Sequence, residues 1–246
     1  MIKKHIPNLI TLLNLFCGSI AVLYAVNDNL YAAAIFVMLG ILFDFFDGFA
    51  ARLLHVQSEL GLQLDSLADM VTSGVVPGIV MFKLLEKVVG KFSYTTDFFN
   101  AGWNTDTFVI LPLFGLLITL ASAYRLAKFN IDTRQTNSFI GLPTPANTLL
   151  ILSLPLILLT NGAEWLQNLI LNKWFLMAVT LLSCYLLNAE LPLFSLKMKT
   201  YGFQENAVKY IFLLLAVALI VTLHFLAIPL IILLYILLSV ITNFKK

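Results

Sequence analysis

Apolar residues run along this chain in stretches of about twenty, separated by short polar breaks, the length a helix needs to cross a bilayer. Eight such runs are expected, near residues 8–26, 30–53, 65–88, 107–128, 146–162, 168–188, 207–223 and 226–243. The fifth is short and contains Pro155. The last two are parted only by a tight turn near His224, which predicts a hairpin or a broken helix. No internal repeat or low-complexity tract interrupts the pattern. The expected fold is an all-α bundle of about eight transmembrane spans. It is read as one integral membrane domain over 1–246, with a catalytic core near 3–150 and additional helices over 151–246.

Composition supports a lipid solvent. Hydrophobic residues make up 60% of the 246 and charged residues 11%, with a mean hydropathy of +0.94. Soluble domains carry about 25% charged residues, so a chain this apolar cannot cover a water-facing surface. A net charge of +2 argues against a nucleic-acid partner. Cys17 and Cys184 lie inside apolar runs and read as small core side chains. The opening Met1–Leu13 segment has basic residues before an apolar run but no persuasive small-residue cleavage site, so it is read as a retained first helix.

Lys and Arg orient the bundle. With an even number of spans, both termini share one side. That side collects Lys3, Lys4, Arg52, Arg125, Lys128, Arg134, Lys197, Lys199, Lys209, Lys245 and Lys246, which is 11 of the 15 basic residues. Both termini are therefore expected in the cytoplasm, along with loops 54–64, 130–145 and 189–206. Loop 89–106 faces outward.

Charge inside a membrane span is costly and marks function. Asp44 and Asp47, three apart, share one face of the second run. Asp65 and Asp69, four apart, share one face of the third. A short loop joins the two runs, so the pairs should meet as antiparallel neighbours. Four gathered carboxylates repel one another, and divalent cations are the natural compensation. An all-oxygen donor set without His or Cys favours Mg²⁺, Mn²⁺ or Ca²⁺ over zinc. Ions so held can activate a phosphoryl group. Arg52 is placed to meet a phosphate oxygen. Gly48, Ala51 and Gly61 leave room for a bulky ligand beside the acids. A cation transporter is the competing interpretation, but the other spans supply no acid chain across the membrane.

The stretch Asp44-Phe45-Phe46-Asp47-Gly48-Phe49-Ala50-Ala51-Arg52, then eight residues, then Gly61-Leu62-Gln63-Leu64-Asp65-Ser66-Leu67-Ala68-Asp69 matches DxxDGxxAR(x8)GxxxDxxxD without departure. It resembles the signature of the CDP-alcohol phosphatidyltransferase family. Ser58-Glu59-Leu60-Gly61, Pro7-Asn8 with Thr11 and Asn14, Arg125-Leu126-Ala127-Lys128-Phe129-Asn130, and Phe139-Ile140-Gly141-Leu142-Pro143-Thr144-Pro145 are similar to its phosphatidylserine synthase branch. The resemblance covers roughly residues 3–150.

That resemblance implies transfer from CDP-diacylglycerol to L-serine, giving phosphatidylserine and CMP. It implies two metal ions held by Asp44, Asp47, Asp65 and, in part, Asp69. Asp69 is the chosen base for the serine hydroxyl. Asn8, Thr11, Asn14, Gly48, Ala51, Arg52 and Gly61 are expected to bind the CDP moiety, and Arg125, Lys128, Asn130 and Arg134 the serine. Pro143 and Pro145 are read as shaping their loop, and Lys197 with Lys199 as a lipid-headgroup face. Relatives of this kind pair as homodimers among membrane lipids, and a bacterial-type cytoplasmic membrane with the site facing the cytoplasm is assumed. Acceptors such as glycerol 3-phosphate or inositol phosphate remain the alternative within the family. They call for a denser basic pocket than these scattered cations offer.

Overall fold

A computed structural model describes residues 2–90, 110–132, 139–160, 162–194 and 202–244. Arg134, Lys197, Lys199 and most of loop 89–106 lie outside them. After a short 3-10 turn, α1 (Ile6–Val26) starts with Pro7 in its first turn, where the missing N–H costs nothing. Asn29 caps α2 (Leu30–Leu53) by accepting from the Ala32 N–H at 3.1 Å. Ser58 does the same for α3 (Glu59–Val89), accepting from the Gly61 N–H at 3.1 Å. Inside α3, Met70–Val75 forms a π-helical turn, and Gly90 at φ 105° ends the helix.

The chain resumes with α4 (Leu111–Ile131), which begins as a 3-10 helix. Then come β1 (Phe139–Ile140), α5 (Thr144–Thr160), α6 (Glu164–Ile170), α7 (Lys173–Asn188), β2 (Pro192–Leu193), α8 (Phe203–Leu223) and α9 (Ala227–Phe244). The strands pair antiparallel, Phe139 opposite Leu193 and Ile140 opposite Pro192. Gly141, at φ 75°, lets this pair close onto the end of α7. A Cβ there would lie 2.8 Å from the Leu187 carbonyl oxygen.

The molecule is all-α apart from that short ladder. Among the described residues, five helical stretches are long and apolar enough to cross a membrane, or six when the bent pair α6 and α7 (61°) is taken as one span. The expected fifth run is the 17-residue α5, shorter than the others. Its Ile151–Ile157 segment is buried on every side, with the middle of α3 as neighbour in the same apolar core. A helix enclosed by protein needs no lipid-facing stripe, which accounts for its lack of a polar face. Length and apolarity alone count 206–242 as one stretch. However, the Phe212 and Tyr235 rings meet at 5.7 Å. They are 235 − 212 = 23 residues apart, and a continuous helix would separate them by about 35 Å. The stretch is therefore a hairpin, reversing at His224 (φ 50°, ψ −121°).

At the end of the bundle away from the acidic motif, Lys83 pairs with Glu86 at 3.0 Å and with Asp28 at 3.7 Å. Lys83 and Glu86 are buried, so each needs the opposite charge beside it.

Candidate active site

The acids stand where α2 ends and α3 begins. Three-residue spacing puts Asp44 and Asp47 on one face of α2, and four-residue spacing does the same for Asp65 and Asp69 on α3. The connection 54–58 turns sharply at His55 (φ 52°) and brings the two faces together. Carboxylate oxygens of Asp44, Asp47 and Asp65 lie within 4.8 Å of one another, close enough to share a metal ion. Asp44 and Asp65 are in direct contact. Asp47 is buried and accepts a 2.5 Å hydrogen bond from the Thr11 hydroxyl of α1. The donor set is all oxygen and carries formal charge −3. It suits a hard divalent cation and nothing softer.

Asp69 stands one turn deeper, beside the trio rather than within it. Its Oδ1 lies 3.5 Å from the Asn14 amide nitrogen, and the Arg125 guanidinium is close enough to act on its charge without forming an ion pair. Arg125 is 8% exposed, and its Nε makes no hydrogen bond among the described residues. A nearly buried guanidinium with an unused donor, beside an acid cluster, suits an incoming anionic group.

A cleft of about 520 Å³ opens against the trio. Asp47 and Asp65 belong to both the trio and the cleft wall. Asn8, Thr11, Gly48, Ala51, Arg52 and Gly61 line it too. Among the described residues, and apart from its own helix backbone and chain neighbours, an added Cβ at Gly48 would meet just the Arg52 guanidinium nitrogen, at 3.8 Å, so this wall is open. Gly61 is tighter. A Cβ there would meet Ser58 Oγ at 3.2 Å and Asn8 Oδ1 at 3.3 Å.

Two groups of expected residues fall elsewhere. Asn14 is fully buried and outside the cleft lining. Its amide lies between Asp69 and Thr72 instead. Of the three described residues expected around serine, Arg125 is the one whose charge acts on Asp69, and it shares the wall of a small cavity with Lys128. Lys128 reaches Glu190 at 3.5 Å. Asn130 accepts from Ser66 Oγ at 3.0 Å, which ties α4 to α3. Arg134 lies outside the described residues. Thr72 was not anticipated among the site's neighbours. The available signal was its position three residues after Asp69, on the same helical face.

Comparison with known proteins bears on the same residues. The sequence model of the CDP-alcohol phosphatidyltransferase family matches residues 4–186, which contain the whole acidic motif. The chain is 35% identical over 174 residues to a CDP-diacylglycerol–serine O-phosphatidyltransferase of Bacillus subtilis (strain 168), covering 69% of this chain and 88% of that protein. It is 32% identical over 178 residues to a protein of that description from Helicobacter pylori (strain ATCC 700392 / 26695), covering 72% and 66%. An archaetidylserine synthase of Methanothermobacter thermautotrophicus is 32% identical over 145 residues, covering 57% and 53%. The chain thus spans most of the Bacillus protein, about two thirds of the Helicobacter one and about half of the archaeal one.

Proposed function

We propose that this chain, which belongs to the CDP-alcohol phosphatidyltransferase family, transfers the phosphatidyl group of CDP-diacylglycerol to L-serine, yielding phosphatidylserine and CMP. The observation that carries the proposal is the shared wall. Two of the three clustered aspartates, Asp47 and Asp65, also line the cleft that Arg52 overlooks. Relatives named for the serine reaction supply the choice of acceptor.

In this scheme the CDP moiety occupies the cleft, its phosphates toward Arg52 and the acids. Asp44, Asp47 and Asp65 hold the divalent ion, with Asp69 available to a second. The oxygen-only ligands favour Mg²⁺ or Mn²⁺, with Ca²⁺ as the other hard candidate. When bound, such ions neutralise diphosphate charge and ease departure of CMP. Thr11 fixes the Asp47 carboxylate, and Gly48 and Ala51 let the nucleotide lie close to α2. The serine hydroxyl oxygen forms a bond to the lipid-side phosphorus as the bond from that phosphorus to the CMP oxygen breaks. Asp69 takes the hydroxyl proton, and Arg125 meets the serine carboxylate. The basic residues at this end of the bundle support a site that faces the cytoplasm. With α5 and the α8–α9 hairpin counted, the helices suit eight crossings with both termini on that side.

The test is CMP release by the detergent-purified protein from CDP-diacylglycerol with Mn²⁺. Serine, glycerol 3-phosphate and inositol phosphate are compared as acceptors. Release with serine alone, abolished by a chelator and restored by Mn²⁺ or Mg²⁺, is the expected result. Release with another acceptor only would overturn the serine assignment.

A further inference from the structure

Thr72 belongs to none of the expected site residues, yet it is fully buried one short step from Asp69. It sits in the π-helical turn Met70–Val75 that directly follows Asp69 in α3. Such turns concentrate at functional sites. Its hydroxyl lies 2.8 Å from Asn14 Oδ1 and 3.2 Å from the Asn14 carbonyl oxygen. The other end of the same amide, Nδ2, lies 3.5 Å from Asp69 Oδ1. Two helices, α1 and α3, thus meet in one line: hydroxyl, amide, carboxylate.

The direction of that line follows from donor and acceptor chemistry. A primary amide has one accepting and one donating end. With the Thr72 hydroxyl donating to Oδ1, the donating end faces Asp69. The reverse orientation would set the amide oxygen against a carboxylate oxygen, two acceptors with no proton between them. The surroundings hold Thr72 in place. A Cβ on Gly18 would collide with Thr72 Oγ1. One on Gly40 would lie 2.8 Å from both Thr72 Cγ2 and Asn14 Oδ1. Glycine at both positions lets α1 and α2 close around the pair.

We propose that Thr72 is a positioning residue for the transfer reaction: its hydroxyl orients the Asn14 amide, and that amide holds the Asp69 carboxylate toward the acceptor alcohol. The proposal rests on Asp69 as the group that takes the acceptor's proton. The 3.5 Å contact is long, as hydrogen bonds in substrate-free sites commonly are, and it shortens when the acceptor is bound. Thr72 touches neither the cleft nor the clustered trio, so its effect must appear in turnover and not in donor binding.

The experiment compares Thr72→Val, which keeps the shape and loses the hydroxyl, with Thr72→Ser, which keeps the hydroxyl. Thr72→Ala serves as a second hydroxyl-free variant should the valine protein not fold. Folding is checked by gel filtration in detergent. In Thr72→Val, kcat for CMP release should fall about 10- to 100-fold, the usual effect of losing a supporting hydrogen bond behind a catalytic group. KM for CDP-diacylglycerol and half-saturation by Mn²⁺ should stay as in wild type, and Thr72→Ser should recover most of kcat. In an Asn14→Ala background, Thr72→Val should cost nothing further, because the residue it acts through is gone. Wild-type kcat in a folded Thr72→Val protein overturns the proposal, as do losses that multiply in the double variant. If the wild type releases CMP with a different acceptor, the serine assignment falls and Thr72 is judged with that acceptor. Release with none overturns both.

Discussion

Thr11→Val removes one hydroxyl whose partner is the buried Asp47 carboxylate. Thr11 is 3% exposed and Asp47 6% exposed, and 2.5 Å separates their oxygens. A hydrogen bond to a charged group contributes about 1.5–3 kcal/mol. At 1.4 kcal/mol per tenfold, that is roughly 10- to 100-fold in an equilibrium constant, the range seen when the outer partner of a metal-ligating carboxylate is lost. The affected equilibrium is ion binding at the Asp44, Asp47 and Asp65 trio, because the bond fixes the rotamer of a member of that trio. The Mn²⁺ concentration for half-maximal CMP release should therefore rise by about 10- to 100-fold, while kcat at saturating Mn²⁺ stays near wild type. Electron paramagnetic resonance of free Mn²⁺ reads the same change without turnover. Thr11→Ser should restore wild-type behaviour. Unchanged Mn²⁺ dependence in a folded Thr11→Val protein would refute the reasoning. So would a rise confined to KM for CDP-diacylglycerol, which would make the hydroxyl a nucleotide contact instead.

Asp69→Asn should lower kcat by about 10²- to 10⁴-fold, the range for loss of a general base, while the folded variant still binds CDP-diacylglycerol by equilibrium dialysis into labelled micelles. Full activity would remove Asp69 from the base role. Arg125→Gln should raise KM for serine far more than KM for CDP-diacylglycerol, and an equal rise in both would refute a serine-side role. The α8–α9 hairpin is tested by pairing Phe212→Cys with Tyr235→Cys. A short bismaleimide should join them within one chain, detected by mass spectrometry of a tryptic digest, and no intramolecular product would refute the reversal at His224.

The gathering of the acids was legible in the sequence because helical periodicity converts three- and four-residue spacing directly into a shared face. The cleft was legible for a related reason: Gly48, Ala51 and Gly61 are small residues beside charge, and small residues leave space. The acceptor side was harder to see. Arg125, Lys128 and Asn130 look equivalent along one helix, yet each position turns the side chain by about 100°. That rotation sends Arg125 toward Asp69, Lys128 toward Glu190 and Asn130 toward Ser66. Which partner a polar side chain finds depends on helices distant in sequence, and nothing local encodes it. The same holds for α5: its short apolar run with Pro155 is one of the eight expected spans, but that it lies in the core is set by neighbours that its own residues do not specify.

Helix α1 shows how a helix without acids can organise the acidic motif. Asn8, Thr11 and Asn14 are spaced by three, so each lies about 4.5 Å further along the axis than the last. Their partners follow in the same order. Asn8 lies against Gly61 at the cleft, Thr11 bonds to Asp47 in the trio, and Asn14 meets Asp69 and Thr72 below it. One turn later Gly18 makes room for Thr72 itself. The helix therefore orders depth: cleft contact outermost, the trio of carboxylates next, Asp69 innermost. Two carboxylates on one face of α3 have different surroundings, in part because α1 gives them different company. Asp65 has only carboxylates of the trio as its close partners there, whereas Asp69, near the same acids, also meets the Asn14 amide of α1 and the positive charge of Arg125 on α4. That difference in surroundings comes largely from the register of α1 against α3, and so the three polar residues of this uncharged helix are as much a part of the candidate site as the acids they touch.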